Sequence, residues 1–484
     1  MAYLHGTYGE FDKSIGLVPV ATDTIPVYVG VAPVNLVRGY EEIGNVNAPL
    51  QLKTMAAAQG SFGYSSDWEK FSLCEVFAAH FSNEVSNVAP IVVINVLDPA
   101  THKKSGEATT KELTFVNGTA KIKSDTIILD TLVLADKVEG TDFTIDYDFT
   151  SGEVIVTSIA EVPLTTVNAT YDEVDVSLIQ NTDIIGGVSA EGVYKGLGCV
   201  SLVYPELGLI PNIIAAPAYS DKPEVYKAMV QAATKINGHW DAFINVDIPI
   251  EDTDTIAKAI KWKDDNAYTS ERAKVCYPKW RLKDGTVYHL STLTTWLMCL
   301  VDSTHTGIPM ETPSNKQIPA GRQYFGAGSK NKGYDQQTTN GLNENGITTA
   351  VYWGGSYVLW GNHTAAYKYG LVTDARSIFD VSIRMMMYVT NSFQREHALK
   401  IDAPMTKSMA DTILNREQDK LDALVAVGAL IGEPVCEFKE SENSTTQLME
   451  GDFVWNNRIT PTPPFKSGTM KVAYTDEGFS SYFE

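Results

Sequence analysis

Gly326-Ala327-Gly328-Ser329-Lys330 comes nearest, by residue type, to a phosphate cradle. Such a cradle needs glycines spaced so that backbone N–H groups converge on the anion, a lysine over the phosphates, and a strand-to-helix setting. The GxxxxGK[ST] spacing is missing and neither flank has the right pattern, so the stretch reads as a flexible loop. The eight histidines do not cluster: His289 and His305 are too far apart for one helix face, and no HExxH occurs. No GxSxG elbow offers a nucleophilic serine. Asp142 to Asp148 lacks the glycine and closing glutamate of a calcium loop. The pairs Asp264-Asp265 and Asp172-Glu173 read as solvated surface. No catalytic, cofactor-binding or metal-binding residue is assigned, and no enzyme activity is expected.

What remains is suited to holding partners. Between Leu371 and Lys420 seven acidic residues are matched by seven basic ones, whereas Asp98 to Asp183 carries 16 acidic against 6 basic. The basic residues of the first stretch are the candidates for meeting an acidic partner: first the helix containing Lys407, Arg416 and Lys420, with Arg395 and Lys400 as second candidates. The second stretch should face solvent. At the two ends of the chain, Tyr3, His5 and Thr7 share one face of an extended segment, as do Val472 and Tyr474. A lone strand satisfies none of its backbone hydrogen bonds, so it needs a sheet edge, which a neighbouring subunit can provide.

The elements that must position these residues follow from the hydrophobic pattern. With 484 residues, 44% hydrophobic and 20% charged, the chain suits about three domains without metals or disulfides. Five cysteines without a CxxC pair read as free thiols of a reducing compartment. The first residues have neither the basic start nor the apolar core of a signal peptide. No apolar run approaches the ~20 residues of a membrane span. A net charge of −21 disfavours nucleic acid and anionic membranes as main partners.

Residues 1–21 read as an extended, glycine-broken arm. Ile25 to Ala32 and Ile91 to Val96 are apolar runs of strand length, the second buried on both faces. A helix is expected from Trp68 to Phe81. Residues 98–190 change texture to short alternating strands, with a hairpin expected across Asn117-Gly118. Strand and helix then alternate: Asn212–Pro217, a helix from Pro223 to Ile236, Phe243–Asp247, a helix from Thr253 to Lys263, Ala273–Cys276, and a helix from Leu290 to Asp302. That spacing implies a largely parallel sheet. Val351–Trp353 and Tyr357–Trp360 read as a hairpin. Helices are expected at Arg376–Lys400 and Lys407–Leu430, the second capped by Ser408 with Asp411 and stopped at Gly432 and Pro434. A strand is expected near Lys471–Tyr474. Met385-Met386-Met387 suits core packing or an adaptable interface.

The chain resembles the tail sheath proteins of contractile bacteriophages and phage-tail-like particles. Four stretches carry the resemblance: Gly6–Glu10 through Thr24–Ala32; Pro313–Lys316 followed by Leu342–Ile347; Tyr357 to Thr364, a WG-x-x-T strand with His363 where arginine is common; and Val425–Gly432 with Gly451 and Pro461–Pro464. Their order and spacing are more specific than any one of them. The resemblance implies an α/β multidomain fold: an N-terminal arm (1–21), a discontinuous α/β middle domain (22–97 plus 191–375), an inserted outer β domain (98–190), and a C-terminal α+β domain (376–484) completed by exchanged terminal strands. It implies self-assembly into stacked hexameric rings and a helical sheath around an inner tail tube protein, with baseplate and tail terminator proteins at the ends. Assembly in the bacterial host cytoplasm, then residence in a virion or particle tail, would follow, with no nucleic acid bound and no membrane insertion. Two other readings stay open: an α/β enzyme using the 191–310 sheet, and a β-rich surface or adhesin protein.

Overall fold

The computed structural model describes residues 19–372 and 374–484. The strands that read as continuous apolar runs come together in one eight-stranded sheet. In chain order these are β1 (Ile25–Gly30), β2 (Pro49–Leu52) and β3 (Ile91–Asn95), with helix α1 (Ser72–Phe81) between β2 and β3. Six strands of an insert follow: β4 (Thr109–Thr114), β5 (Thr119–Lys123), β6 (Val133–Leu134), β7 (Phe143–Asp148), β8 (Glu153–Ser158) and β9 (Thr166–Tyr171). The main sheet then resumes with β10 (Pro211–Ala215), α2 (Pro223–Ala232), β11 (Phe243–Asp247), α3 (Ile256–Asp265), β12 (Ala273–Cys276), α4 (Leu290–Thr304), β13 (Ile347–Trp353) and β14 (Ser356–Trp360). Last come α5 (Asp380–His397), α6 (Lys407–Ala426), β15 (Val435–Glu437) and β16 (Asn456–Arg458).

The main sheet runs β14-β13-β12-β11-β10-β1-β3-β2. Its six central strands are parallel, and β14 and β2 are antiparallel edges. Helices on both faces explain why every residue of β1, β3, β11 and β12 is buried. The chain leaves β1 towards β3 in one direction and continues from β10 towards β13 in the other, a switch point where α/β enzymes open a crevice. Here the protein's own groups occupy the carboxyl ends of β1 and β3. Ser72 Oγ accepts from Val31 N at 3.3 Å, and Asn95 Oδ1 accepts from Ala32 N at 2.9 Å. A Cβ at Gly30 would lie 2.6 Å from Ser72 Oγ.

The insert is a sandwich of two three-stranded sheets, β5-β8-β7 and β4-β9-β6. Leu113, Ile122, Phe143, Val154, Val156 and Ala169 meet in its own core. The turn expected at Asn117-Gly118 forms, with φ of 52° and 80° and reciprocal bonds between Val116 and Thr119. The hairpin does not continue beyond it. β4 pairs with β9 and β5 with β8, because the buried alternate residues of the two strands serve opposite sheets of the sandwich. Gly186 ends the short helix where the insert returns, with φ +53°; a Cβ there would lie 1.9 Å from Lys195 O.

Several helix ends differ from expectation. α1 starts at Ser72 rather than Trp68, and α3 starts at Ile256 behind the Thr255 cap. The start of α6 is capped by Thr406, whose side chain accepts from Met409 N at 3.2 Å, not by Ser408. Its end lies at Ala426 rather than Leu430. Gly428 takes φ +81°, which lets Ala429 N return to Leu424 O at 2.8 Å, so Gly428 does the work assigned to Gly432. Residues 375–377 and 398–400 are 3-10 turns flanking α5, which shortens the helix expected from Arg376 to Lys400.

Candidate assembly surface

α5 is the pivot of the C-terminal region, because one face of it is bonded to the α/β body along its length. Asp380 meets Lys274 of β12 at 2.7 Å, both side chains fully buried. Lys274 also donates to Gly361 O at 3.0 Å and His363 O at 3.3 Å, and Thr312 Oγ1 donates to Asp380 at 3.1 Å. One turn on, Arg384 pairs with Asp302 of α4, which also accepts from Thr24 Oγ1 at 2.7 Å. Farther along, Asn391 Nδ2 donates to Asp241 O at 2.8 Å and Gln394 Nε2 to His239 O at 3.0 Å. Charges this deep persist only when paired and hydrogen-bonded, and losing one partner of such a pair costs about 3–5 kcal/mol. None of these residues was singled out from sequence. Lys274 inside an apolar strand, and Asp380 and Arg384 four apart among Val381, Ile383 and Met385, were the available signals.

The other face of α5 packs on α6 through Met385, Val389, Leu421 and Leu424. Met385 is thus core, Met387 packs against the α/β body, and Met386 and Met387 both line a groove. Between the helices Glu417 is 1% exposed and accepts from His397 Nε2 at 2.8 Å and Lys420 Nζ at 3.1 Å. Lys420 also reaches Glu396 at 3.2 Å, and Arg416 lies 3.6 Å from the same carboxylate.

The expected cations therefore do not form one patch. Lys420 is turned inward to balance Glu417. Lys407 and Arg416 are nine residues apart, about 180° around a helix of 3.6 residues per turn, so they project from opposite sides. Lys407, Arg395 and Arg416 are exposed, and Lys400 is half-buried beside the fully exposed Leu399 at the turn joining the helices.

β15 and β16 form a two-stranded antiparallel sheet, Val435 opposite Arg458 and Glu437 opposite Asn456. Beyond it a bridge between Leu430 and Pro461 and a bond from Thr462 N to Ala429 O at 3.1 Å hold the chain to the end of α6. The tail then leaves the body. Phe465 is 90% exposed, and Met470, Val472 and Tyr474 are 85% exposed each. The strand expected at 471–474 is not formed: the segment has no regular structure and pairs with no strand among the described residues. Tyr3, His5 and Thr7 lie outside the described residues. The glycine-rich stretch at 326–330 is a turn; contrary to expectation a strand, Gly321–Tyr324, does precede it, and a helix, Gln336–Asn343, follows only after a further five-residue loop, so its backbone does not lead directly into a helix N-terminus. Among the described residues no group of His, Cys, Asp and Glu could hold a metal ion, and no helix is long and apolar enough to cross a membrane.

No protein-family model matches the chain. It is 28% identical to the tail sheath protein of Burkholderia phage BcepMu, over 98% of this chain and 97% of that one. It is 23% identical to the tail sheath protein of Escherichia phage P2, over 64% of this chain and 75% of that one. Among solved structures, a chain of the anti-feeding prophage baseplate superposes with a TM-score of 0.57 at 12% identity, over 98% of this chain and all of that one. A chain of the PVC sheath complex, an extracellular contractile injection system in the contracted state, gives 0.54 at 10% identity over 99% and 100%. The structural likenesses establish a shared fold, a mixed α/β multidomain architecture.

Proposed function

We propose that this chain, a homologue of phage tail sheath proteins along nearly its whole length, is the structural subunit of a contractile tail sheath. Copies stack as hexameric rings around an inner tube, bounded by baseplate and terminator proteins, and contraction drives the tube through a target envelope. The subunits assemble in the host cytoplasm and then belong to the particle tail. The observation that carries the reading beyond homology is a mismatch within the subunit. The tail exposes an apolar alternating run, while β15–β16, packed on α6, is a sheet of only two strands whose outer edge is unpaired among the described residues. Exchange of terminal segments between copies answers both. Backbone pairing contributes about 0.5–1.5 kcal/mol per bond and is cooperative, so links of this kind survive while weaker contacts break.

Contacts to the tube must be weak enough to release, which suits surface charge pairs of roughly 0.2–1 kcal/mol. Arg395, Lys400 and Lys407, around the turn joining α5 and α6, fit that role. Arg416 belongs to a separate side of α6, and Lys420 contributes through Glu417 rather than by direct contact. Residues 376–484 then face the tube, and the acidic insert at 98–190 faces outward. Negative-stain microscopy of the purified protein tests the reading. Rings or tubes are expected, and compact monomers at every concentration and salt condition would overturn it.

A further inference from the structure

We propose that a basic sheet face on the α/β body is a docking surface for the acidic 433–452 region of a second copy. The inference rests on the sheath reading and names a contact between bodies, distinct from any exchange of chain ends. Three short strands, Lys279–Leu282, Val287–Tyr288 and Gly321–Tyr324, pair as an antiparallel sheet. Gln323 Nε2 donates to Ala350 O of β13 at 2.8 Å and fastens it to the body. Trp280 and Gln323 are buried, so strand alternation turns Lys279, Arg281, Arg322 and Tyr324 to the opposite face. There Arg281 stands directly across from Arg322, and its guanidinium lies 5.5 Å from the Tyr324 ring centre. Like charges directly opposite destabilise a sheet, so this pair works against the isolated subunit and is relieved by an anionic partner. Lys279, Arg281, Lys283, Arg322, Lys330 and Lys332 form no ion pair among the described residues. Residues 279–288 and 316–332 together carry seven basic side chains against one acidic, on a chain of net charge −21. A copy of the same acidic chain meets attraction at this island.

Residues 433–452 have the complementary make-up, six acidic side chains against one basic. Glu437 is paired with Lys439 and Arg458, whereas Glu433, Glu440, Glu442, Glu450 and Asp452 are exposed and form no ion pair among the described residues. Met449 stands exposed among them. The basic face has an apolar margin to receive it. Ring contacts run from Trp280 to Tyr357 at 6.0 Å and from Tyr357 to the exposed Tyr352 at 5.1 Å. The insert is the other acidic stretch, but its charge is in good part answered within its own subunit. Asp130 and Glu139 pair with Arg38, Glu153 with Lys121, Asp172 with Lys103 and Glu173 with Lys104.

Charge exchange in the full-length chain tests this. Arg322→Glu with Lys283→Glu reverses the basic face and gives Arg281 a carboxylate across the strand pair, and Glu440→Lys with Glu442→Lys reverses the acidic region. Either double substitution should raise the concentration needed for assembly about tenfold, and all four in one chain should return it to within about threefold of the parent. Sedimentation reads association and electron microscopy reads cylinders in the same samples. Loss followed by recovery, with cylinders, supports the inference. Unchanged assembly of the reversed-face protein overturns it and leaves the sheath reading intact. Loss without recovery also overturns it, as does recovery when Asp146→Lys with Asp148→Lys on the insert replaces the Glu440 and Glu442 changes, since the partner surface then lies elsewhere. Association that follows the exchange pattern without rings or tubes supports the contact and counts against the sheath. A parent that stays monomeric sinks both. Arg322→Gln separates docking from folding. In dilute monomer its melting temperature should hold or rise as the like-charge pair is removed, while the assembly concentration rises about threefold. A lowered melting temperature would show that Arg322 serves its own subunit instead.

Discussion

His363 is held as a structural residue by the rings around it. Its ring lies between Tyr367, with centroids 3.5 Å apart and nearly parallel planes, and Phe379 at 5.2 Å. Nδ1–H donates to Ile378 O at 2.9 Å, which also accepts a longer bond from Thr364 N. Burial outweighs that hydrogen bond and pulls the imidazole down to about 4. The folded state therefore holds a neutral ring, whereas the unfolded chain takes up a proton near pH 6.5. Between pH 6.5 and 4 the unfolded state binds more protons, so stability falls as pH falls through that window and is unaffected above it. Replacing His363 by Phe keeps the stack and loses one hydrogen bond, about 1 kcal/mol at pH 7. At pH 4 the variant should recover on the order of 2–3 kcal/mol relative to the parent. Urea unfolding at pH 7 and pH 4 measures both. An unchanged difference between the two would mean that His363 is charged in the folded chain. His80, also pulled down to about 4 by burial, should leave part of the acid sensitivity in place.

Helices α5 and α6 carry two kinds of cation that a sequence cannot tell apart. Arg395 is exposed, whereas Lys420 is held between Glu417 and Glu396. Charge reversal at Arg395 or Lys400 should alter stability by less than about 0.5 kcal/mol. Lys420→Glu places a third carboxylate beside buried Glu417 and should cost about 1–3 kcal/mol, less than for a fully buried pair because the site is partly open. Thermal unfolding of the three variants separates these roles, and equal melting temperatures would show that Lys420 is a surface residue. The same distinction marks what the sequence makes legible. The continuous runs of β3 and β11 announce their burial, and their strands stand where expected. Lys274, Asp380, Arg384 and Asp302 could not be paired in advance, because they meet across separations of roughly 80 to 110 residues that only the assembled sheet closes. The Asn117-Gly118 turn is a local property and forms as expected. Which strands it joins is settled by the sandwich core, and the local pattern misleads there.

At the scale of the whole molecule, a subunit with net charge −21 repels its own copies, so association depends on contacts that outweigh a field screened over about 10 Å at 0.1 M salt. The tail is suited to that task because it contributes so little to its own subunit. From Phe465 onward its side chains are exposed, and among the described residues it touches the body through the Lys466 ammonium, 5.7 Å from the Tyr367 ring centre. Removing residues 466–484 should therefore leave the monomer folded, with a melting temperature within about 2 °C of the intact chain. Assembly should fail even at a salt concentration at which the intact chain forms cylinders. A tail that stabilised its own subunit would instead lower the melting temperature and the assembly together. Calorimetry and sedimentation of one sample distinguish the cases. Cylinders from the shortened chain at the parent's critical concentration would remove the C-terminal segment from the links between subunits and leave the N-terminal one as the remaining candidate.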